Sequence, residues 1–294
     1  MAAKDLLLIL LINLIWGLNV VVAKYGVGQI PPILFTFLRF AIVAIVLLPV
    51  LKIHRGQMPA VIFVAVATGG IHFALTYTGL AMAADVSSVA IAMQLGIPFA
   101  TVLSMLFLGE KIRFWRWLGL SMAFGGIMLI SFDPQVFAYR NALALVVLGS
   151  LFGASGLLVA KKLTGVGVFE LQSWIAMISW PLLLGLSLAV EPGQFAILLQ
   201  ADLSVWGAVL FTALAASVLA HSGMYYLIQR YDLSLVMPTF LLATVFAVIF
   251  GVTLMGDQLT PRMIAGGSCT LLGVLLILMR QIRKPRAATP PAAT

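Results

Sequence analysis

Apolar residues fall along this chain in runs of roughly 20, the length at which a helix rising 1.5 Å per residue crosses a hydrocarbon layer about 30 Å thick. Polar residues collect between the runs. The first half holds Leu6–Tyr25, Ile33–Leu51, Val61–Leu80, Val86–Leu108 and Phe114–Phe132. The second holds Ala142–Ala160, Val168–Val190, Ser204–Gln229, Leu233–Met255 and Met263–Met279. Lipid offers backbone groups no partner, so each run predicts a membrane-spanning helix, and without strand alternation a β-barrel is not expected. The first run follows Lys4 as a signal peptide would. It has no small-x-small cleavage site and carries Asn13 and Asn19, so it reads as a retained helix. The expected fold is all-α and integral to the membrane, with ten spans joined by short connections.

The pattern of the fourth and fifth runs returns 147 residues later, in the ninth and tenth, so repeats are sought before single residues are read. At that offset, without a gap, Asp85 matches Asp232, Ser87 matches Ser234, Phe99 matches Phe246 and Gly109 matches Gly256. Gly119 falls on Gly266, Ser121 on Ser268, Gly126 on Gly273 and Ile130 on Ile277, and the carboxylates Glu110 and Asp257 coincide. Residues 1–137 and 138–284 thus form two five-span units, followed by a Pro- and Ala-rich tail, 285–294, expected to be disordered. An odd number of spans makes the second unit enter the membrane from the opposite face. Inverted repeats around a central cavity are how many secondary transporters alternate access to a midplane site.

Composition changes the picture little and charge adds orientation. Hydrophobic residues make up 63% of the chain and charged residues 9%, against about 25% charged in an average soluble domain. Placing both termini in the cytoplasm puts Lys4, Lys52, Arg55, Lys111, Arg113, Arg116, Lys161, Lys162, Arg230, Arg280, Arg283, Lys284 and Arg286 on that side. Only Lys24, Arg140 and Arg262 fall on the other, with Arg39 inside a span. The positive-inside rule selects this orientation, and it accounts for the net charge of +8 without nucleic acid. One cysteine, Cys269, leaves no disulfide framework, and no metal-ligand cluster or Walker glycines occur. No cofactor is expected, and the architecture is compatible with a monomer in the bilayer.

Polar residues inside the runs are the candidate site. Asn13, Trp16 and Gly17 share a face of the first span, which should point inward to line a cavity or bond another helix. Arg39, about two turns into the second span, either snorkels, contacts carbonyls or binds a solute carboxylate. His72 and His221 lie in equivalent spans, each in a polar stripe of spacing four: Thr68, His72, Thr76 and Ser217, His221, Tyr225. Tyr77 and Tyr226 flank the stripes, predicting a shared aromatic-lined cavity, against the alternative of packing histidines. Gln94, Gln172 and Trp174 are weaker candidates. Pro98 and Pro238 interrupt helical hydrogen bonding and are candidate hinges for rocking the third, fourth, eighth and ninth spans.

The run LFLGEK (Leu106 to Lys111), its degenerate mate TLMGDQ (Thr253 to Gln258), NLIWGLN (Asn13 to Asn19), FLRFAIVA (Phe37 to Ala44) and the Gly-rich fifth and tenth spans resemble the drug/metabolite transporter superfamily. The resemblance is to its ten-helix EamA branch and covers nearly the whole chain. Pro98 sits where that family's fourth span has its proline; Pro238 departs, seven residues before the matching position, Val245. Within the branch the chain is most similar to bacterial exporters of amino acids, aromatic ones above all. The resemblance implies an inner-membrane exporter, not an enzyme, moving small amino acids or similar metabolites by alternating access. No Asp or Glu lies deep in a span, which favours facilitated movement over proton coupling. Broad-specificity drug or metabolite efflux by proton antiport is the alternative; a membrane enzyme and a channel are the other classes.

Overall fold

The computed structural model describes residues 3–109, 114–230 and 237–281, without the side chains at 108, 195, 225, 228–230, 237, 238, 280 and 281. Among these residues nine helices are long and apolar enough to cross a membrane. They are α1 (Ala3–Gln29), α2 (Pro32–Val50), α3 (Met58–Met82), α4 (Val86–Phe107), α5 (Phe114–Ser131), α6 (Arg140–Ala160), α7 (Val168–Val190), α8 (Leu203–Met224) and α10 (Pro261–Met279). The tenth, α9, is a shorter apolar helix, Thr239–Met255; the start expected for it at Leu233 falls outside the described residues. Ten passes return the chain to the face it left, here the terminal face; the other is the far face.

Helix pairing follows the repeat. α5 packs on α10 and α2 on α7, each helix against its own equivalent in the other unit. α3 and α4 both pack on α6, and correspondingly α8 and α9 both pack on α1. That pattern is a pseudo-two-fold axis in the membrane plane, with α5–α10 and α2–α7 straddling it. Residues on the axis meet their own equivalents 147 positions away: Cys269 Sγ donates to the Met122 carbonyl (3.4 Å) and Thr270 Oγ1 to that of Ala123 (3.3 Å). Lipid-side positions are apolar, as at Ile45 and Leu203, 73% and 86% exposed, because hydrocarbon and not water surrounds the bundle.

Several helices depart from regular α geometry. α3 and α8 contain π-helical segments at Ala65–Ile71 and Phe211–Leu219, directly preceding His72 and Ala220–His221 respectively. Such segments widen the turn and concentrate at functional sites. α4 is broken into Val86–Met93 and Gly96–Leu108, with turn hydrogen bonds at Gln94 and Leu95 between them. Gly109 and Gly256, matched by the repeat, both end their helices in the left-handed region (φ +65° and +76°), where a side chain would be strained.

Candidate functional site

Arg39 joins the two units. Its side chain is 4% exposed; Nε donates to Ser217 Oγ at 3.0 Å and Nη1 to the Tyr77 hydroxyl. The guanidinium carbon stands 4.7 Å from the Phe73 ring centre, 5.7 Å from Tyr77 and 6.0 Å from Phe40. Rings in those positions attract a cation by roughly 0.5–2 kcal/mol each, the more so away from water. No carboxylate comes within ion-pair distance of Arg39 among the described residues. Snorkelling is thereby set aside: the group points into the bundle, where rings and hydroxyls surround it.

The π segment of α8 holds this cluster together. Ser217 Oγ, which accepts from Arg39, donates to the Thr212 carbonyl at 2.8 Å, and the Ser217 carbonyl accepts from Gln172 Nε2 of α7 at 2.6 Å. The Ala216 carbonyl accepts from Trp16 Nε1 of α1 (3.2 Å) and from His221 Nδ1 (2.9 Å). Wide-turn geometry therefore turns consecutive carbonyls towards side chains of three helices. Trp16 also stacks edge-on against His221 and Phe240, both at 5.2 Å between centres. Asn13 is fully buried; its Nδ2 donates to Ile9 of its own helix (2.7 Å), and its Oδ1 meets no donor. Gly17, on the same face, lets α9 approach so closely that a Cβ there would lie 2.6 Å from Phe246 Cβ. The inward face expected of α1 is the observed one.

The stripe on α3 lies differently from the expectation of an open cavity. Thr68, His72 and Thr76 rest on a run of glycines in α6, where a Cβ at Gly149 would come 2.6 Å from Thr76 Oγ1 and one at Gly153 3.1 Å from His72 Nδ1. His72 Nδ1 donates to the Gly149 carbonyl at 2.8 Å, which leaves Nε2 as the acceptor, as in His221. Its ring touches that of Phe73 (4.9 Å between centres), and Phe73 in turn faces Tyr77 (5.5 Å). His72 thus reaches Arg39 through one aromatic ring. Tyr226 stands apart: it lines a groove of about 500 Å³ at the terminal face between α1 and α8, with Leu8, Ile12 and Gly223. The side chains of Tyr225 and Pro238 lie outside the described residues.

Pro98 occupies the first turn of the second part of α4, just past the break at Gln94–Leu95. Gln94 Nε2 donates to Thr244 Oγ1 of α9 at that break, so the interruption also touches the other unit. If Pro98 keeps α4 jointed, Pro98→Ala restores a donor to the interrupted ladder. The expected outcome is a lowered rate of solute movement in proteoliposomes with little change in half-saturation; unchanged kinetics would count against a hinge.

Charged groups missed as site residues tie up the far face. Glu191, ending α7, accepts from the first amides of α2, Ile33 (2.8 Å) and Leu34 (2.9 Å). Asp257, after α9, does the same for α4, accepting from Val86 N (3.0 Å), Ser87 N (2.8 Å) and Ser87 Oγ (2.6 Å). Lys24, counted from sequence on the far side at the end of the first span, lies within α1 and donates to carbonyls ending α3, at Leu80 (2.8 Å) and Ala83. Asp85 caps its own helix through Ser88 N, and Tyr139 donates to its second oxygen. Burial lifts the Asp85 carboxyl above its ordinary range, and the hydrogen bonds from Ser88 pull against that shift. Carboxylates at span ends were the available signal, since helix N-termini attract negative charge.

Comparison with known proteins agrees with this arrangement. The model of the EamA-like transporter family matches the chain twice, over residues 3–132 and 140–279. The chain belongs to the EamA-like transporter family. An uncharacterized transporter of Archaeoglobus fulgidus is 26% identical over 273 residues, covering 90% of this chain and 95% of its own. A probable amino-acid metabolite efflux pump of Salmonella typhimurium is 26% identical over 290 residues, covering 94% of this chain and 95% of its own. The uncharacterized inner membrane transporter YedA of Escherichia coli is 23% identical, covering 95% and 92%. A solved crystal structure of a protein superposes with a TM-score of 0.61 at 16% identity, covering 97% of this chain and 100% of that one; this likeness is one of fold. The family and the names of these relatives point to a transporter of a small solute in a lipid membrane and not to an enzyme.

Proposed function

We propose that this EamA-like protein exports small amino acids and related metabolites, aromatic amino acids among them, from the bacterial cytoplasm across the inner membrane. Both termini face the cytoplasm, following the Lys and Arg distribution of its connections. The observation that carries the reading is buried Arg39, ringed by Phe40, Phe73 and Tyr77 where α2 and α3 of one unit meet α8 of the other. A cation among aromatic rings suits a solute with a carboxylate and an apolar or aromatic body. His72, Thr76, His221, Trp16 and Asn13 belong to the same proposed site, with Tyr226 at the terminal face and Tyr225 assigned by its place in the sequence stripe. The Salmonella relative, named a probable amino-acid metabolite efflux pump, supports the same class.

Movement follows alternating access without ion coupling. Every carboxylate among the described residues lies in an end turn of a span or in a connection, so the intramembrane carboxylate that commonly marks proton coupling is absent among them. The test is uptake of labelled phenylalanine, with a panel of other amino acids, into liposomes holding the purified protein, with and without a pH gradient. Saturable uptake in the absence of a gradient is expected. Uptake that requires the gradient would favour proton antiport through His72 or His221, and uptake of none of the amino acids would overturn the solute class.

A further inference from the structure

Two buried groups at the joint between the units have hydrogen-bonding capacity that the protein does not use. Guanidinium carries five N–H donors. Arg39 directs Nε to Ser217 and Nη1 to Tyr77, and Nη2 meets no acceptor among the described residues. Its positive charge has no carboxylate partner there either. The complementary group is Gln172. Its Nε2 donates to the Ser217 carbonyl at 2.6 Å, and its Oε1 is buried with no donor. The amide cannot be turned over to relieve this, because Oε1 would then oppose the Ser217 carbonyl. A buried acceptor left without a donor keeps its full desolvation penalty, and such groups in native proteins call for an explanation.

Both groups are held to one residue, Ser217, from opposite sides: Arg39 on its hydroxyl and Gln172 on its carbonyl. A cationic multi-donor and an unsatisfied carbonyl acceptor, separated by a single residue, match the two ends of an α-amino acid. We propose that Arg39, Ser217 and Gln172 form the subsite for the zwitterionic head of the solute, Arg39 taking the carboxylate and Gln172 Oε1 the ammonium. This deepens the amino-acid reading and rests on it. The Tyr77 and Ser217 hydroxyls occupy the guanidinium until the carboxylate displaces them, and the rings of Phe73 and Tyr77 lie beside the head where an aromatic side chain begins. Arg39 comes from the first unit and Ser217 and Gln172 from the second, so a solute bridging them reports the relative position of the halves.

The experiment is competition against labelled phenylalanine by the full-length protein in proteoliposomes. Phenylalaninamide lacks the carboxylate, 3-phenylpropionate lacks the ammonium, and unlabelled phenylalanine has both. For the unsubstituted protein each truncated analogue is expected to compete roughly tenfold less well or worse, the loss of a charge-assisted hydrogen bond. Gln172→Met keeps the length of the side chain, removes the orphaned oxygen together with the Nε2 bond to the Ser217 carbonyl, and is expected to fold as the parent does. It should bring 3-phenylpropionate to within about threefold of phenylalanine while phenylalaninamide stays weak, because only the ammonium site is lost. Arg39→Gln should do the reverse. Equal competition by all three compounds in the parent overturns the subsite, as does a Gln172→Met protein with an unaltered ranking. In either case phenylalanine is still carried and the exporter reading stands; absence of uptake of every amino acid tested overturns both.

Discussion

Gly126→Val is expected to abolish recovery of monodisperse protein from membranes, because it forces apart the helices that join the two units. A Cβ at position 126 would overlap the Gly266 carbonyl oxygen and Thr270 Oγ1. The equivalent sites clash reciprocally: a Cβ at Gly266 lies 2.6 Å from the Gly126 oxygen, one at Gly119 2.8 Å from that of Gly273, and one at Gly273 2.6 Å from that of Gly119. Added groups in a tight core cost about 1–3 kcal/mol when side chains can shift. Here the obstacle is backbone, and relief requires moving α5 off α10 along its length. Association in lipid depends on such close approach, with no hydrophobic drive between helices to replace it. The control is its neighbour: a Cβ at Gly125 meets nothing within 4 Å. Gly125→Ala should match or slightly exceed the parent in thermal unfolding, as alanine is favoured over glycine in helices by up to roughly 1 kcal/mol. Size-exclusion profiles and melting curves of the variants in detergent decide the matter; a Gly126→Val protein that elutes and melts like the parent would refute the packing.

The same glycines show how far the sequence could be read. The bilayer sets the length of each apolar run, so ten spans are visible without knowledge of any contact. The repeat offset of 147 residues then matches Gly119 with Gly266 and Gly126 with Gly273, and because α5 and α10 cross about the axis each meets the other pair's member, Gly119 against Gly273 and Gly126 against Gly266. Polar positions were less legible. Spacing by four put Thr68, His72 and Thr76 on one face correctly, but periodicity does not say what that face meets. The answer, α6, was written in its own glycines at 149, 153 and 156. The π segments leave no mark in hydropathy, because i→i+5 bonding keeps the same residues in the same span. Yet they orient Ser217 and the Ala216 carbonyl, which is why Arg39, Ser217 and Tyr77 could each be named from sequence while the bonds that join them could not. Tyr77 was named from its place beside the polar stripe; Gln172 looked like an ordinary amide until its oxygen proved to have no donor.

Asp257→Ala is the second large effect, expected in the conformational balance of the far face and not in assembly. One carboxylate oxygen of Asp257 accepts from the Val86 and Ser87 amides and the Ser87 hydroxyl, and so supplies α4 with a cap from the opposite unit. The carboxylate is 9% exposed, and Gly251 is required beneath it, since a Cβ there would collide with Oδ2. Lys24 lies within electrostatic reach of both Asp257 and Asp85 and draws the end of α3 into the same knot. Removing the Asp257 side chain leaves the amides at the start of α4 without their partner and a hydroxyl without its acceptor. By the usual values for caps and charged hydrogen bonds this costs about 2–4 kcal/mol, locally and not globally, because Asp85 still caps through Ser88. The expected result is faster hydrogen–deuterium exchange at residues 86–93, with α5 and α10 unchanged, while Asp257→Asn, which keeps an acceptor, recovers part of the protection. Transport should shift with it: a far face that opens more readily raises the rate if opening limits the cycle and lowers solute affinity if closure completes the site around Arg39. Exchange at residues 86–93 indistinguishable from the parent would mean that α4 is held by its own cap alone, and that the two units are not fastened at this face by Asp257.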